Sequence, residues 1–514
     1  MRSHAYFPSR IDLDSLDVSP LLYRGLLQDE GQEVINFQGL ALGRQQLRAE
    51  VACMQNWLEQ QGLQSGDRVA VMLNNSVQHI ALIYAVILSG LVWVPINTKL
   101  RGPGLQYILQ HARPQVMVLE EEFTEVLAPY TSERLPQVLL QQIPVATMLS
   151  APASLKLVQR LSSDTLCLIY TSGTTGAPKG VVFTHRMMRI ATEAALMVAN
   201  IKDGDRAFLW EPLCHIGGAQ MLLVPFLVDA SLLVVERFSA SQFWSQWQQS
   251  RASHLHYLGG VLDILMQLPE EAKPDGASIA TAWGAGVAAN NWQTIQSRLG
   301  CELRECYGMT ECSSFATLNA SGKPGSIGKA LPWIRLELLD EEDFPVTVGS
   351  AGQIVLSSDL EGVFLPHYLD NPEASAKALR NGKLYTGDMA RQDEDGDLFF
   401  IGRASDSMRV RGENVSAWEV ERVFAEHPAI EASAAMGIKS QIGEQEIYLF
   451  VKFKPEQHCD WQDLIGWAKP RMAAFQLPRY FASIERFDLT PSQRIQKHRL
   501  TPQLDRAWDR QTRA

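Results

Sequence analysis

Between two apolar runs, Leu166-Cys-Leu-Ile-Tyr170 and Val181-Val-Phe183, the chain places Tyr170-Thr-Ser-Gly-Thr-Thr-Gly-Ala-Pro-Lys-Gly180. Short apolar runs bounded by Gly, Ser, Thr and Pro read as buried strands, so this stretch predicts strand, loop, strand. Within the loop stand three glycines, four hydroxyl side chains besides Tyr170, and one lysine. Glycine lets backbone N–H groups approach an anion, the hydroxyls add donors, and the lysine adds charge. That composition suits a polyphosphate clamp. It is not a Walker A loop, because Lys179 follows Pro178 and precedes Gly180, with no Ser or Thr to hold magnesium. A flexible hairpin loop is the alternative.

With 514 residues the chain exceeds the about 250–300 that one hydrophobic core usually serves, so two or more domains are expected. A formal net charge of −11 argues against nucleic acid or an anionic membrane as the main partner. Seven scattered cysteines, with no CxxC pair, read as reduced thiols rather than a disulfide frame or zinc site. The first twenty residues lack the apolar core of a secretory signal, and a cytoplasmic protein without an integral membrane segment is expected. The most apolar stretch, Ile80 to Ile96, is interrupted by Ser89-Gly90 and Pro95, and predicts a buried helix, a turn and a strand.

Helical and strand patterns alternate through the first four hundred residues. Leu47, Val51, Met54 and Leu58 recur at helical spacing before a Ser65-Gly-Asp67 turn and a strand at 69–73. The expected fold is α/β: a large N-terminal domain, 1–403, of layered sheets flanked by helices, and a small, mobile α+β domain, 404–514. The polar stretch Ala404-Ser-Asp-Ser-Met408 marks the boundary, with Asp406 as the hinge.

Further signals follow in a fixed order: Leu213-Cys-His-Ile-Gly-Gly218, Trp283-Gly-Ala-Gly286, Tyr307-Gly-Met-Thr-Glu311, Gly325-Ser-Ile-Gly328, Tyr385-Thr-Gly-Asp388, Gly402-Arg403, Arg411-Gly-Glu-Asn-Val415 and Trp418-Glu-Val-Glu421. With this set the chain closely resembles the acyl-adenylate-forming superfamily of acyl- and aryl-CoA ligases, peptide-synthetase adenylation domains and luciferases. It looks most like the carnitine-type and medium-chain coenzyme A ligases. The resemblance implies that Thr171, Ser172, Gly173, Thr174, Thr175, Gly176 and Lys179 clamp ATP phosphates, and that Tyr307, with Gly308, stacks on adenine. It further implies Thr310 at the α-phosphate, Glu311 as the Mg2+ ligand, and Asp388 with Arg403 on the ribose. His215 falls beside the reacting carboxylate; a structurally satisfied histidine is its rival. Ile216, Gly217, Tyr257, Gly284, Ala285 and Gly286 are nominated to flank the acyl group, although Tyr257 and Trp283 also suit a core. The nominated set holds no acidic residue, which leans toward an acid without a free α-amine.

One position departs from the family. Where a lysine is usual near the C-terminus, Leu489-Thr-Pro-Ser-Gln-Arg-Ile-Gln-Lys497 offers Arg494. Arg494 takes the lysine's role, Lys497 substitutes, or the first half-reaction is impaired; the first is favoured because arginine is always cationic. Arg409, Arg411 and Gly412 resemble the loop that meets coenzyme A, with Arg411 in place of a usual glycine. A solvated basic turn is the rival. The expected function is an ATP-dependent carboxylic acid–coenzyme A ligase using a small-molecule acid, ATP, Mg2+ and coenzyme A, and releasing AMP and pyrophosphate. Alternatives are an enzyme loading a carrier protein in trans and a nucleotide-binding pseudoenzyme. The sequence sets no oligomeric state; a homodimer is one option.

Overall fold

A computed structural model describes residues 16–28, 33–130, 135–145, 154–171, 177–287, 289–340, 342–403, 407–439, 444–488, 495, 497 and 500–512. Helix Arg44–Gln60 buries Leu47, Val51, Met54 and Leu58, which its period brings to one face. Ser76 opens helix Val77–Leu88, its hydroxyl accepting from the His79 N–H at 3.1 Å. Nearly every residue of that helix is buried, so it is a core helix rather than an amphipathic one. After the turn at Gly90, strand Val92–Pro95 follows as the sequence predicts.

Two large sheets carry the alternation. In the six-stranded sheet the spatial order is Gln137–Leu139, Val116–Leu119, Arg68–Met72, Val92–Pro95, Thr165–Thr171 and Lys179–Thr184. Its first five strands pair in parallel. The nine-stranded sheet runs Lys329–Ala330, Ser314–Asn319, Glu302–Met309, Thr281–Ala285, His254–Leu258, Arg206–Leu209, Ser231–Val234, Glu33–Phe37 and Leu40–Gly43. Its six inner strands are parallel, and antiparallel strands close both edges. Helical crossovers such as Val77–Leu88, between the paired strands Arg68–Met72 and Val92–Pro95, supply the long connections that parallel pairing requires.

Residues 335–403 form a third, five-stranded sheet whose order is Arg335–Leu339, Ala351–Ser357, Lys383–Gln392 and Leu379–Arg380, with Leu398–Arg403 pairing to Lys383–Gln392. Arg335–Leu339, Ala351–Ser357, Lys383–Gln392 and Leu379–Arg380 pair antiparallel, a departure from the largely parallel layering that the alternation suggests. Only Asn381 and Gly382 separate Leu379–Arg380 from Lys383–Gln392, a connection too short for parallel pairing.

The chain packs as two compact units. One comprises Met1–Thr98, Ala112–Ile169 and Gly180–Gly402; the other comprises Lys99–His111, Tyr170–Lys179 and Arg403–Ala514. In the smaller unit the sheet Ile430–Lys439, Gln445–Phe453, Tyr480–Ser483 and Trp508–Asp509 is covered by helices Ala417–Ala425 and Trp461–Ala468. Among the described residues no helix is long and apolar enough to cross a membrane.

His79 gives the larger unit a pH-dependent stability. Its Nδ1–H donates to the Asn74 carbonyl at 3.1 Å, and Nε2 has no hydrogen-bond partner among the described residues. Burial pushes its pKa down from 6.5 to about 4, against the Asn74 bond, which raises it. The unfolded chain therefore takes up a proton that the folded one refuses. Stability from this group is complete above pH 6.5 and is lost as pH falls toward 4, by at most about 3 kcal/mol. The variant His79→Gln is expected to lose less stability than the parent between pH 7 and pH 4.5 in urea unfolding. Equal losses would refute this source of acid lability.

Candidate nucleotide and acyl site

Tyr257, Ala285 and Tyr307 lie toward the carboxyl ends of three neighbouring parallel strands, where open α/β sheets bind ligands. Register makes the gathering specific. Tyr257 lies beside Gly284, and Gly284 beside Glu305, across three adjacent strands. Because Gly284 has no side chain between them, the Tyr257 hydroxyl reaches Glu305 Oε2 at 2.6 Å. Glu305 in turn accepts from the backbone N–H groups of Gly286 and Val287, fixing the turn after Trp283. Burial pushes its carboxyl up to about 7, although these hydrogen bonds favour the ionised form. Tyr257 is wholly buried among core aromatics, as is Trp283. Ala285 is half-buried at the strand end.

Tyr307 to Glu311 spans the end of strand Glu302–Met309 and a tight 3-10 turn, Thr310–Cys312. The returning strand Ser314–Asn319 passes so close that a Cβ on Gly308 would lie 1.7 Å from the Ser314 carbonyl oxygen, which only glycine tolerates. That approach aims Tyr307, whose hydroxyl donates to Asp388 Oδ2 at 2.7 Å. Its ring faces Phe400 at 5.9 Å between centroids. Asp388 sits in a bulge of strand Lys383–Gln392, where three residues oppose Ile354 and the Thr386 hydroxyl donates to the Ile354 carbonyl. A bulge re-aims a side chain that the regular pleat would turn elsewhere. Burial, then the Asp388 charge, raises the Tyr307 phenol far above its ordinary value, so it stays a neutral donor.

Thr310 and Glu311 are both buried. The Tyr368 hydroxyl donates to Glu311 Oε1 at 2.8 Å and holds the carboxylate in place. Tyr368 escaped the sequence reading because nothing local links it to a residue 57 positions earlier. His215 is half-buried and starts the short helix Ile216–Ala219, with Nε2 at 3.4 Å from the Asn97 side-chain nitrogen. Ile216 and Gly217 are half-buried beside it. Tyr307, Thr310, Glu311, Asp388 and His215 thus belong to the larger unit.

Thr171, Lys179, Arg409, Arg411 and Gly412 belong to the smaller unit. Thr171 ends strand Thr165–Thr171, and Lys179 begins strand Lys179–Thr184. Arg411 and Gly412 form the two-residue turn between strands Ser407–Val410 and Glu413–Ser416, with φ of 50° and 77°. Positive φ at both positions is the turn whose twist suits a hairpin, and it explains why glycine is usual where Arg411 stands. Gly412 N–H donates to Glu444 Oε1 at 3.0 Å. Ser172, Gly173, Thr174, Thr175, Gly176, Asp406 and Arg494 lie outside the described residues, as does the side chain of Arg403.

The family model for AMP-binding enzymes matches residues 28–366, and that for the AMP-binding enzyme C-terminal domain matches 419–494. The chain therefore belongs to the AMP-binding enzyme family. Among its relatives, a crotonobetaine/carnitine–CoA ligase of Escherichia coli O157:H7 is 29% identical over 85% of this chain and 88% of that protein. A double mutant of o-succinylbenzoate CoA synthetase from Bacillus subtilis, solved with a product analogue, has the same fold at a TM-score of 0.84 and 22% identity, covering 93% and 97% of the two chains. An amide bond synthetase from Marinactinospora thermotolerans does so at 0.81 and 22%, covering 93% and 98%.

Tyr307→Phe keeps the ring and removes the donor from a buried carboxylate. Leaving such an acceptor unmet costs about 1–3 kcal/mol. Urea unfolding of the variant is expected to show a loss in that range; no loss would mean that the hydroxyl does not hold Asp388.

Proposed function

We propose that this chain is an ATP-dependent carboxylic acid–coenzyme A ligase. The acid's carboxylate attacks the α-phosphorus of ATP, pyrophosphate leaves, and the thiol of coenzyme A then displaces AMP from the acyl-adenylate. The observation that carries the reading is the buried pair Tyr307–Asp388 beside the Glu311 turn, in a chain that matches the family over both of its models.

Tyr307 offers a flat face to adenine, and Asp388 accepts from the two ribose hydroxyls, as an acceptor-only group can. Arg403 is assigned to the same sugar. Thr310 donates to the α-phosphate, and His215 orients the reacting carboxylate. Thr171 to Gly176 and Lys179 grip the phosphates through backbone N–H groups, hydroxyls and the ammonium. A single buried carboxylate fixed by a tyrosine hydroxyl is a hard-oxygen donor of the kind that shares Mg2+ with substrate phosphates, so Glu311 fits the ion. When bound, Mg2+ neutralises phosphate charge. The chain's own bonds position Glu311: the Tyr368 hydroxyl donates to its carboxylate, and the Leu365 N–H donates to its carbonyl. Two anions must meet for the first step, and Arg494 is assigned the charge that screens them.

Residues 1–403 and 404–514 are taken as the two domains, with Asp406 the hinge. Arg409, Arg411 and Gly412 are assigned to coenzyme A. Arg411 stands at the tip of a hairpin turn, beside Gly412, where a cationic side chain can meet an anionic ligand.

With ATP, Mg2+, coenzyme A and a panel of carboxylic acids, acid-dependent AMP and an acyl-CoA product are expected by mass spectrometry; no AMP with any acid would overturn the reading. Arg494→Ala is expected to slow pyrophosphate release about 100–1,000-fold while thioester formation from supplied acyl-adenylate continues nearly unchanged. Equal loss in both half-reactions would sink that assignment. Arg411→Gly should keep or raise stability, since it relieves the backbone, and raise KM for coenzyme A. An unchanged KM would reduce Arg411 to a turn residue.

A further inference from the structure

Glu211 lies two residues past strand Arg206–Leu209 and four before His215. Its segment is pinned by Asn75, whose Nδ2 donates to the Glu211 carbonyl at 2.8 Å while Oδ1 accepts from the Leu213 N–H at 3.2 Å. The side chain is 3% exposed. Oε1 is bonded by His256 Nδ1. His256 itself is clamped, stacked on Trp283 at 4.1 Å and edge-on to Phe315 at 6.3 Å between centroids. Register explains the stack, because His256 and Trp283 are paired neighbours on adjacent strands.

The other carboxylate oxygen, Oε2, is buried with no hydrogen-bond partner among the described residues. A Cβ built on Gly217 would lie 3.2 Å from His256 Cε1 and 3.9 Å from Glu211 Cγ. The bare Cα of Gly217 therefore faces this pair, and the pair borders the His215–Gly217 stretch nominated for the acyl group. The hydrophobic effect gives no reason to keep a half-satisfied carboxylate here, since burying one costs free energy unless both oxygens are met.

We infer that Glu211 is a specificity-determining residue whose unmet oxygen accepts a hydrogen bond from the substrate, so that the preferred acid carries a donor, a hydroxyl or an ammonium, away from its reacting carboxyl. The inference rests on the adenylation reading for the identity of the substrate as an acid. It also supplies the acidic residue that the motif-flanking set lacked. A site built to bond a donor rejects an analogue without one far more strongly than a greasy pocket rejects an extra hydroxyl.

The test compares straight-chain acids of equal length ending in hydroxyl, ammonium or methyl. Acid-dependent AMP release and calorimetric binding are both read, in the parent, Glu211→Gln and Glu211→Leu. In the parent, a donor-terminated acid is expected to exceed its methyl counterpart by about tenfold or more, the effect of one hydrogen bond to a charged group. Glu211→Leu reverses the order. Glu211→Gln preserves the side chain's shape, guards against a folding artefact, and separates the donors: an ammonium loses its advantage, a hydroxyl keeps most of it. Equal values for methyl- and donor-terminated acids in the parent, or an order unchanged in Glu211→Leu, would overturn the inference. Absence of AMP with every acid would instead overturn adenylation, and calorimetry alone then decides the role of Glu211.

Discussion

Neutral hydroxyls hold buried carboxylates in this protein. Tyr368 donates to Glu311, Tyr307 to Asp388 and Tyr257 to Glu305, each at 2.6–2.8 Å and each carboxylate no more than a few per cent exposed. A bare carboxylate in the interior is costly, and an arginine partner would cancel its charge as well as orient it. A phenol orients without cancelling. What remains is a fixed acceptor that keeps its affinity for hydroxyls and cations. For Glu311 and Asp388 that leftover charge is what a nucleotide and its metal would use. For Glu305 the recipients are already in the chain, the N–H groups of Gly286 and Val287, so its carboxyl serves to shape a turn.

The sheet makes these pairs possible. In parallel strands, equal positions line up, and one glycine in the middle strand opens a lane between its neighbours. Gly284 does this for Tyr257 and Glu305. One position earlier, on the opposite face, His256 and Trp283 stack instead. Alternating faces of the same three strands thus yield one polar tie and one aromatic clamp, from a single register.

Much of this was legible beforehand. Amphipathic spacing placed helix Arg44–Gln60, the apolar run at 80–96 resolved into helix, turn and strand, and the motif order disclosed the family. The antiparallel sheet of residues 335–403 was less readable, because strand composition does not fix pairing direction. Partners distant in sequence were not readable at all. Tyr368, Glu305, His256 and Glu211 each acquire meaning only through a residue 45 to 57 positions away. A local signal did exist for two of them: Glu305 stands two positions before Tyr307, on the same strand face, and Glu211 interrupts an otherwise apolar approach to Pro212.

Similarity of fold does not choose the second half-reaction. The same architecture is shared with a CoA synthetase and an amide bond synthetase at nearly equal TM-scores and the same identity. Function resides in sites placed on a fold, not in the fold itself. The Tyr307–Glu311 turn is built from backbone approach and buried pairs, and such features tolerate little variation: a side chain on Gly308 would collide with the neighbouring strand. Beside Gly217 the constraint comes from a side chain instead, since a Cβ there would lie 3.2 Å from His256 Cε1. The first constraint is set by the backbone, which no substitution relieves, whereas the second is set by a ring that a change of His256 would remove.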